Sequence, residues 1–208
     1  MTHSTTRDPE STSGPIGLLS VSLLLREETA AWHRYVEQKL GFPGAITNLT
    51  EYGSCLERFY RLYRPLEIDF ARFSQWATIG IELTERRHAD RLACDLKALG
   101  RSPLQLADAP NESLPILTGY PDALGALYVL EGSTLGSQFI LRHLTNLLGD
   151  QIDAALSFFL GYGEQTNNRW KEFRGSLDLF GVGNEAEIPS VVLGAKRTFK
   201  AIADWMQP

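Results

Sequence analysis

Residues 122–144 read DALGALYVLEGSTLGSQFILRHL, an apolar stretch without proline that predicts a helix of about six turns. Gly125, Gly132 and Gly136 stand at positions i, i+7 and i+11, so all three lie on one stripe of this helix. Each glycine inside a helix costs roughly 0.5–1 kcal/mol relative to alanine. A helix that carries three of them on one stripe therefore needs a compensating use for its bare backbone.

Two uses of this glycine stripe remain open from the residues alone. Small residues let two helices approach closely, which is the more general use of glycine in such a position. A flat ligand could instead lie in contact with the exposed backbone. A membrane-spanning version of the packing interpretation is excluded, because Glu131 interrupts the apolar run.

The rest of the chain shows the same helical spacing of apolar residues and no paired strand patterns with hairpin turns. Glycine and proline mark most of the predicted helix ends. The predicted helices cover about Leu18–Leu40, Leu49–Tyr63, Phe70–Leu99, Pro121–Leu148, Ile152–Leu160, Glu164–Leu179 and Glu187–Trp205. We therefore predict an all-α, single-domain helix bundle over residues 15–208, preceded by a disordered polar tail at residues 1–14.

Composition is that of an ordinary globular protein, since 43% of the 208 residues are hydrophobic and 22% are charged. The formal net charge of −5 disfavours a general nucleic-acid binder. No apolar run reaches the roughly 18 residues of a membrane span, and no signal peptide is visible. Cys55 and Cys94 form no CxxC motif, which indicates reduced thiols. We predict a cytoplasmic protein without nucleic-acid or membrane partners.

The first predicted helix contains LREETAAWHRYVEQ at residues 25–38, where His33 lies beside the apolar stripe. Glu37 follows one turn later on the same face, and Arg26 precedes by two turns. A carboxylate at Glu37 can accept one ring N–H of His33 and leave the other nitrogen as a metal ligand. On this motif alone, an ordinary exposed histidine–glutamate pair is the more common interpretation.

His88 completes an ExxH motif with Glu85, a spacing that di-iron helix bundles use twice. Ala30 and Ile140 stand where a second motif would need glutamate before the remaining helical histidines, so the di-iron hypothesis fails on ligand number. Because TERRHADR at residues 84–91 is rich in charge, we predict a solvated helical face for His88. His143 is expected at the rim of a pocket or in solvent.

A group of cations occupies RWKEFRGSLD at residues 169–178, where Arg169, Lys171 and Arg174 share one predicted helix. Lys171 and Arg174 lie on the same face at i and i+3. Charged helices of this kind usually face solvent. An anionic ligand with two carboxylates would nevertheless favour such cations for charge-assisted hydrogen bonds.

The order and spacing of these motifs resemble the heme oxygenase family over about residues 18–179. Four sequence segments are most similar to the bacteriophytochrome-associated branch of the family. They are LYVLEGSTLG at 127–136, FFLGYG at 158–163, RWKEF at 169–173 and RLACDLKALG at 91–100. This resemblance implies that heme is both substrate and cofactor, and that the products are biliverdin, carbon monoxide and ferrous iron. It also implies an external electron donor, either a protein or a small reductant, and a bacterial phytochrome as the bilin acceptor.

The same resemblance implies a role for individual residues. His33 matches the iron ligand, Glu37 the carboxylate that orients it, and Thr29 a threonine of the same motif. Arg26 and Arg174 match partners of the heme propionates. The implied distal residues, which lie over the iron, are Gly132, Ser133 and Gly136.

Two distal positions depart from the common family pattern. Ser133 stands where many members carry an aspartate, and Ser137 stands where a further glycine is frequent. A serine hydroxyl can hold a water molecule but cannot supply a carboxylate. Two alternatives to the enzyme therefore remain: a non-catalytic protein that binds heme or another small molecule on the same fold, and a helical interaction module in which the glycines only pack.

Overall fold

Seven α-helices form the framework of residues 20–206, the part of the chain that the computed structural model describes. No strand occurs within that range, which confirms the all-α prediction. The predicted tail at residues 1–14 lies outside the described residues. The helices are α1 Val21–Leu40, α2 Leu49–Phe70, α3 Ala89–Ala98, α4 Tyr120–Leu148, α5 Ser157–Leu160, α6 Thr166–Gly181 and α7 Ile188–Trp205.

Helix α1 begins and ends at residues whose chemistry suits those positions. The Ser20 hydroxyl accepts the Leu23 N–H at its start, where the first backbone donors of a helix have no helical partner. Gly41 ends the helix with φ +61°, a left-handed conformation that glycine adopts without strain. Most of the α1 surface remains exposed, because few of its residues are buried in the core.

Helix α4 packs on α7 through bare backbone. A Cβ atom added at Gly125 would overlap the Val191 carbonyl oxygen and lie 2.7 Å from the Ala195 nitrogen. Gly194 on α7 is the reciprocal contact, since a Cβ there would overlap the Asp122 carbonyl oxygen. Close packing is thus the use of the first glycine on the α4 stripe.

None of the helices within residues 20–206 is long and apolar enough to cross a membrane.

Helix α2 continues past Pro65 to Phe70, so the predicted end near Tyr63 was wrong. A proline inside a helix removes the N–H that would bond the carbonyl four residues earlier. Here that carbonyl belongs to Arg61, and it accepts the Ala109 N–H at 2.9 Å from a distant loop. Because a tertiary contact supplies the missing donor, the helix tolerates its proline.

The single long helix predicted over residues 70–99 was also wrong. Two short 3-10 turns, Gln75–Ile79 and Leu83–Arg86, precede α3. Gly80 adopts φ +73° between them, which ends the first turn. The predicted helix at 152–160 is likewise divided into a 3-10 turn that ends at Ile152 and the single turn of α5.

Candidate active site

A cavity of about 1230 Å³ lies between α1 and α4, with α6 along one side. This volume exceeds the roughly 300–1,000 Å³ that is usual for small-molecule pockets. Aromatic side chains from five segments form much of the apolar wall: Phe42, Phe59, Phe158, Trp170 and Phe199. Such a space suits a large, mostly apolar ligand.

His33 of α1 lines this cavity, and 58% of its side chain is exposed. Its Nδ1 lies 3.5 Å from Glu37 Oε2, which is longer than an ordinary hydrogen bond but close enough for electrostatic orientation. The edge of the ring also packs against Phe199 with ring centroids 6.0 Å apart. Glu37 and Phe199 therefore restrict the ring from two sides while it remains accessible from the cavity.

The three glycines of the α4 stripe do not share one environment: one packs against a helix, and two face the cavity, where a flat ligand could lie. Gly132 and Gly136 line the cavity, whereas Gly125 packs on α7. A Cβ at Gly136 would meet no atom within 4 Å, and one at Gly132 would lie 3.6 Å from the Trp170 ring. Within this cavity, Gly136 therefore leaves open space that a side chain would fill.

We expect Gly136→Leu and Gly125→Ala to have opposite effects. The leucine enters open space, so the apo-protein should keep a near-parental melting temperature while heme binding or turnover falls. The alanine overlaps α7 backbone, so the free energy of unfolding should decrease by about 1–3 kcal/mol or more. Thermal unfolding of both apo-proteins, with hemin titration and turnover, measures the difference. A strongly destabilised Gly136→Leu protein that still degrades heme normally would contradict the cavity assignment.

Three cations line one part of the cavity: Arg26 on α1, and Lys171 and Arg174 on α6. Arg169 does not join them, because its guanidinium bonds the exposed Glu85 carboxylate at 2.6 Å. All three side chains are exposed, so they can reach anionic groups of a ligand, although solvent weakens the Coulomb attraction.

Thr29 lies on the buried side of α1 and is not among the residues that line the cavity. Its hydroxyl donates to the Leu25 carbonyl at 2.6 Å, and the residue is buried. It also neighbours Tyr128, a cavity residue of α4. Burial raises the pKa of the Tyr128 phenol, while Thr29 and the charges of Arg26 and Arg174 act in the opposite direction. Thr29 thus meets the site through Tyr128 and not directly.

Tyr128 was missed by the sequence analysis, although its spacing gave a usable signal. It stands four residues before Gly132, as Gly132 stands four before Gly136, and so shares their face of α4. Tyr63 of α2 was missed for a different reason. Its hydroxyl lies 3.2 Å from Ser133 Oγ, a contact between distant segments that no spacing within one helix reveals.

Ser133 and Tyr63 both line the cavity and form its polar pair on the α4 side. Ser133 Oγ also donates to the Leu130 carbonyl at 2.7 Å, so its lone pairs remain available to a hydrogen-bond donor. Burial raises the pKa of the Tyr63 phenol, and the nearby Glu67 and Glu131 carboxylates add to that effect. Tyr63 therefore stays a protonated donor at neutral pH.

A buried ionic cluster packs against α4 behind two cavity-lining rings, Tyr63 and Phe158, which both contact His88. Glu131 forms an ion pair with Arg86, accepts the Tyr162 hydroxyl at 2.8 Å, and lies 3.6 Å from His88 Nε2. The predicted solvated face for His88 was wrong, because only 2% of the residue is exposed. The backbone N–H of His88 is fixed by Glu67 at 2.6 Å. Arg86 and His88 of TERRHADR are buried, whereas its charged residues Glu85, Arg87 and Asp90 are exposed.

Charge balance in this cluster favours an ionised Glu131. Burial by itself raises the pKa of its carboxyl, but the His88 ring, the Arg86 guanidinium and the Tyr162 hydroxyl outweigh burial and hold that pKa below its usual value. In contrast, burial raises the pKa of Glu67 despite its bonds to the backbone of His88 and Ala89. Glu131 is thus the charged centre of the cluster.

The fold is an all-α protein with a cavity large enough for a sizeable ligand, and this cavity is lined by a histidine, bare helix backbone and three cations. Such a description fits one family whose model matches residues 19–208, described as heme oxygenase. The chain belongs to the heme oxygenase family. It is therefore an oxidoreductase that degrades heme.

Solved structures give the same fold. The heme oxygenase of Neisseria meningitidis, determined in NO- and CO-bound forms, is 23% identical with a TM-score of 0.73, and the match covers 90% of each chain. The heme oxygenase of Leptospira interrogans is 21% identical with a TM-score of 0.71, over 90% of this chain and 98% of that one. A comparison with curated proteins finds no match.

The residues of this cavity fit a heme group. His33 offers an imidazole, the cations match two carboxylate groups, and a Cβ would fill the space beside Gly136. Within residues 20–206, no group of three or more His, Cys, Asp or Glu side chains could hold a metal ion by itself. An iron that arrives within a porphyrin requires only one protein ligand, which this site can supply.

Proposed function

We propose that the cavity between α1 and α4 binds heme with His33 on the iron, and that heme is cleaved there to biliverdin, carbon monoxide and ferrous iron. The observation that carries the proposal is the pairing of an accessible, oriented histidine with the side-chain-free surface of Gly132 and Gly136 in one cavity. The bound heme supplies the iron that activates oxygen beside its own porphyrin edge.

Each wall of the cavity has a distinct task in this proposal. Glu37 orients His33 through Nδ1, so that Nε2 is the nitrogen available to iron. Gly132 and Gly136 leave room for oxygen on the other side, and Ser133 with Tyr63 offers hydrogen bonds there without a carboxylate. The aromatic wall excludes bulk water from the porphyrin.

Other molecules must supply the electrons and accept the product. The sequence has no glycine-rich nucleotide-binding loop, so we propose an external donor, either a protein or a small reductant. The resemblance to the phytochrome-associated branch supports delivery of biliverdin to a bacterial phytochrome. Mixing the product with the apo-phytochrome and recording its red-absorbing band tests that partnership directly.

One titration followed by one turnover reaction tests the central proposal. Hemin added to the apo-protein should give a Soret band that saturates at one equivalent. Addition of a reductant and oxygen should then replace this band with biliverdin absorption. A Soret band without product formation would support the non-catalytic heme-binding alternative, and absence of the band would leave the glycines with a packing role only.

Replacing Arg26 or Arg174 by glutamate should weaken heme binding, because both arginines line the cavity and each is proposed to bond a propionate. Loss of a hydrogen bond to a charged group costs about 1.5–3 kcal/mol. Hemin titration measures this loss, and Arg169→Glu is the matched control, since Arg169 lies on the same helix but pairs with Glu85. Unchanged affinity in both the Arg26 and Arg174 variants would remove these residues from the site.

A further inference from the structure

Asp178 of α6 binds the first turn of α1 at the edge of the cavity. Its Oδ1 accepts the Ser22 N–H at 2.9 Å and the Ser20 hydroxyl at 3.1 Å, and its Oδ2 accepts the Ser22 hydroxyl at 3.1 Å. All three residues line the cavity. The carboxylate therefore meets backbone and side-chain donors where α1 has unpaired N–H groups and a favourable dipole. We call these three residues the clasp.

The clasp residues Ser22 and Asp178 are each four residues from one of the two cavity arginines. Arg26 follows Ser22 by four residues on α1, and Arg174 precedes Asp178 by four on α6. Residues four apart on a helix lie one above the other on the same face. Each arginine is thus one turn from the clasp, on the face that carries it.

Both arginines line the same cavity as Tyr128 of α4, and the charges of both act to lower the pKa of the Tyr128 phenol. Neither arginine has a carboxylate partner among the ion pairs of the described residues. The separation of the helix turns that carry them depends on how α1 and α6 are joined, and the clasp is a polar link between these two helices.

We propose that Asp178, through Ser22, is a positioning residue that fixes the spacing of Arg26 and Arg174 and thereby determines which edge of the porphyrin is cleaved. This inference rests on the proposed function, because it takes the arginines as partners of the heme propionates. Two propionates held at a fixed spacing permit one rotation of heme about the axis normal to its plane. If the clasp opens, the arginines move apart and other rotations become accessible.

The charge of Asp178 alone predicts a different result. A carboxylate near the propionates repels them, so its removal by itself would tighten heme binding without changing heme rotation. Ser22→Ala separates the two explanations. It removes one hydrogen bond of the clasp and leaves every charge in place.

The experiment compares Asp178→Asn, Ser22→Ala and the double variant with the parent. Glu28→Gln is the matched control, because Glu28 also ties α1 to a neighbouring helix, through a 2.6 Å bond to Lys196, but does not line the cavity. The readouts are the biliverdin isomer ratio, the number of heme orientations seen by proton NMR of the ferric complex, and amide hydrogen exchange at Ser22 in the apo-protein.

We expect the ratio of minor to major isomers to rise at least threefold in both clasp variants, with extra heme orientations and unchanged values for Glu28→Gln. Amide exchange at Ser22 should accelerate at least tenfold in Asp178→Asn. The double variant should resemble Asp178→Asn, since the two residues act as one unit. An unchanged isomer ratio in both single variants would overturn the inference. Failure of the parent to bind hemin would instead refute the proposed function.

Discussion

His33→Ala should abolish heme turnover and change the absorption spectrum of the bound heme. The imidazole of His33 is the proposed protein ligand to iron, and alanine offers no atom in its place. Its exposed position, with 58% of the side chain accessible, means that the substitution should leave the fold intact. Turnover and the Soret band of the ferric complex are measured before and after addition of imidazole, which should partly restore activity.

The matched control for this experiment is His143→Ala. His143 belongs to α4, but it is partly buried outside the cavity wall. We expect its replacement to leave both spectrum and turnover at parental values. A His33→Ala protein that retained the parental spectrum and activity would show that another group holds the iron.

Glu131→Gln should cost about 3–5 kcal/mol of unfolding free energy, because it leaves the buried Arg86 guanidinium without a compensating charge. Only 5% of Arg86 and 1% of Glu131 are exposed, so water cannot replace the lost partner. Urea unfolding of the apo-protein measures the loss. Glu85→Gln, which breaks the exposed pair with Arg169, should cost at most about 1 kcal/mol.

A second substitution and a pH series make this expectation specific. Adding Arg86→Met to Glu131→Gln should recover most of the loss, since a buried charge is then no longer unpaired. The parental pKa of Glu131 lies below the usual 4.5, so its charge stabilises the fold at neutral pH and that contribution disappears as the pH falls below this value. The difference between parent and Glu131→Gln should therefore narrow in acid. Equal stability at neutral pH would show that the ion pair contributes nothing.

Local signals were sufficient to predict the helices that contain the site. Gly41 marks the end of α1 and Gly149 that of α4, where their conformations stop the helix. The failures arose where a distant segment determines the local structure. Pro65 was predicted to end a helix, yet the Ala109 N–H serves the carbonyl that this proline leaves unpaired. One-dimensional spacing contains no information about such a donor.

The candidate site divides in the same way. His33, Arg26 and the cavity-facing glycines were predicted because each belongs to a motif within one helix, and their roles remain proposals. His88 was misplaced because charged neighbours normally indicate solvent. Arg87 and Asp90 are indeed exposed, but Arg86 and His88 turn into the core, where Glu131 of α4 pairs with Arg86. The clasp between Ser22 and Asp178 could not be predicted, because 156 residues separate its members.

Helix α4 is fixed by packing near both of its ends but not in between. Its first half is pinned at Gly125, and its last turns are held in the core by Leu144 and Leu148. Between these two packed regions, α4 contains two Gly-Ser pairs, at 132–133 and 136–137. Such pairs are sites where helices bend. The segment of α4 that lines the cavity can therefore bend toward or away from a bound ligand, while both ends of the helix stay packed in the core.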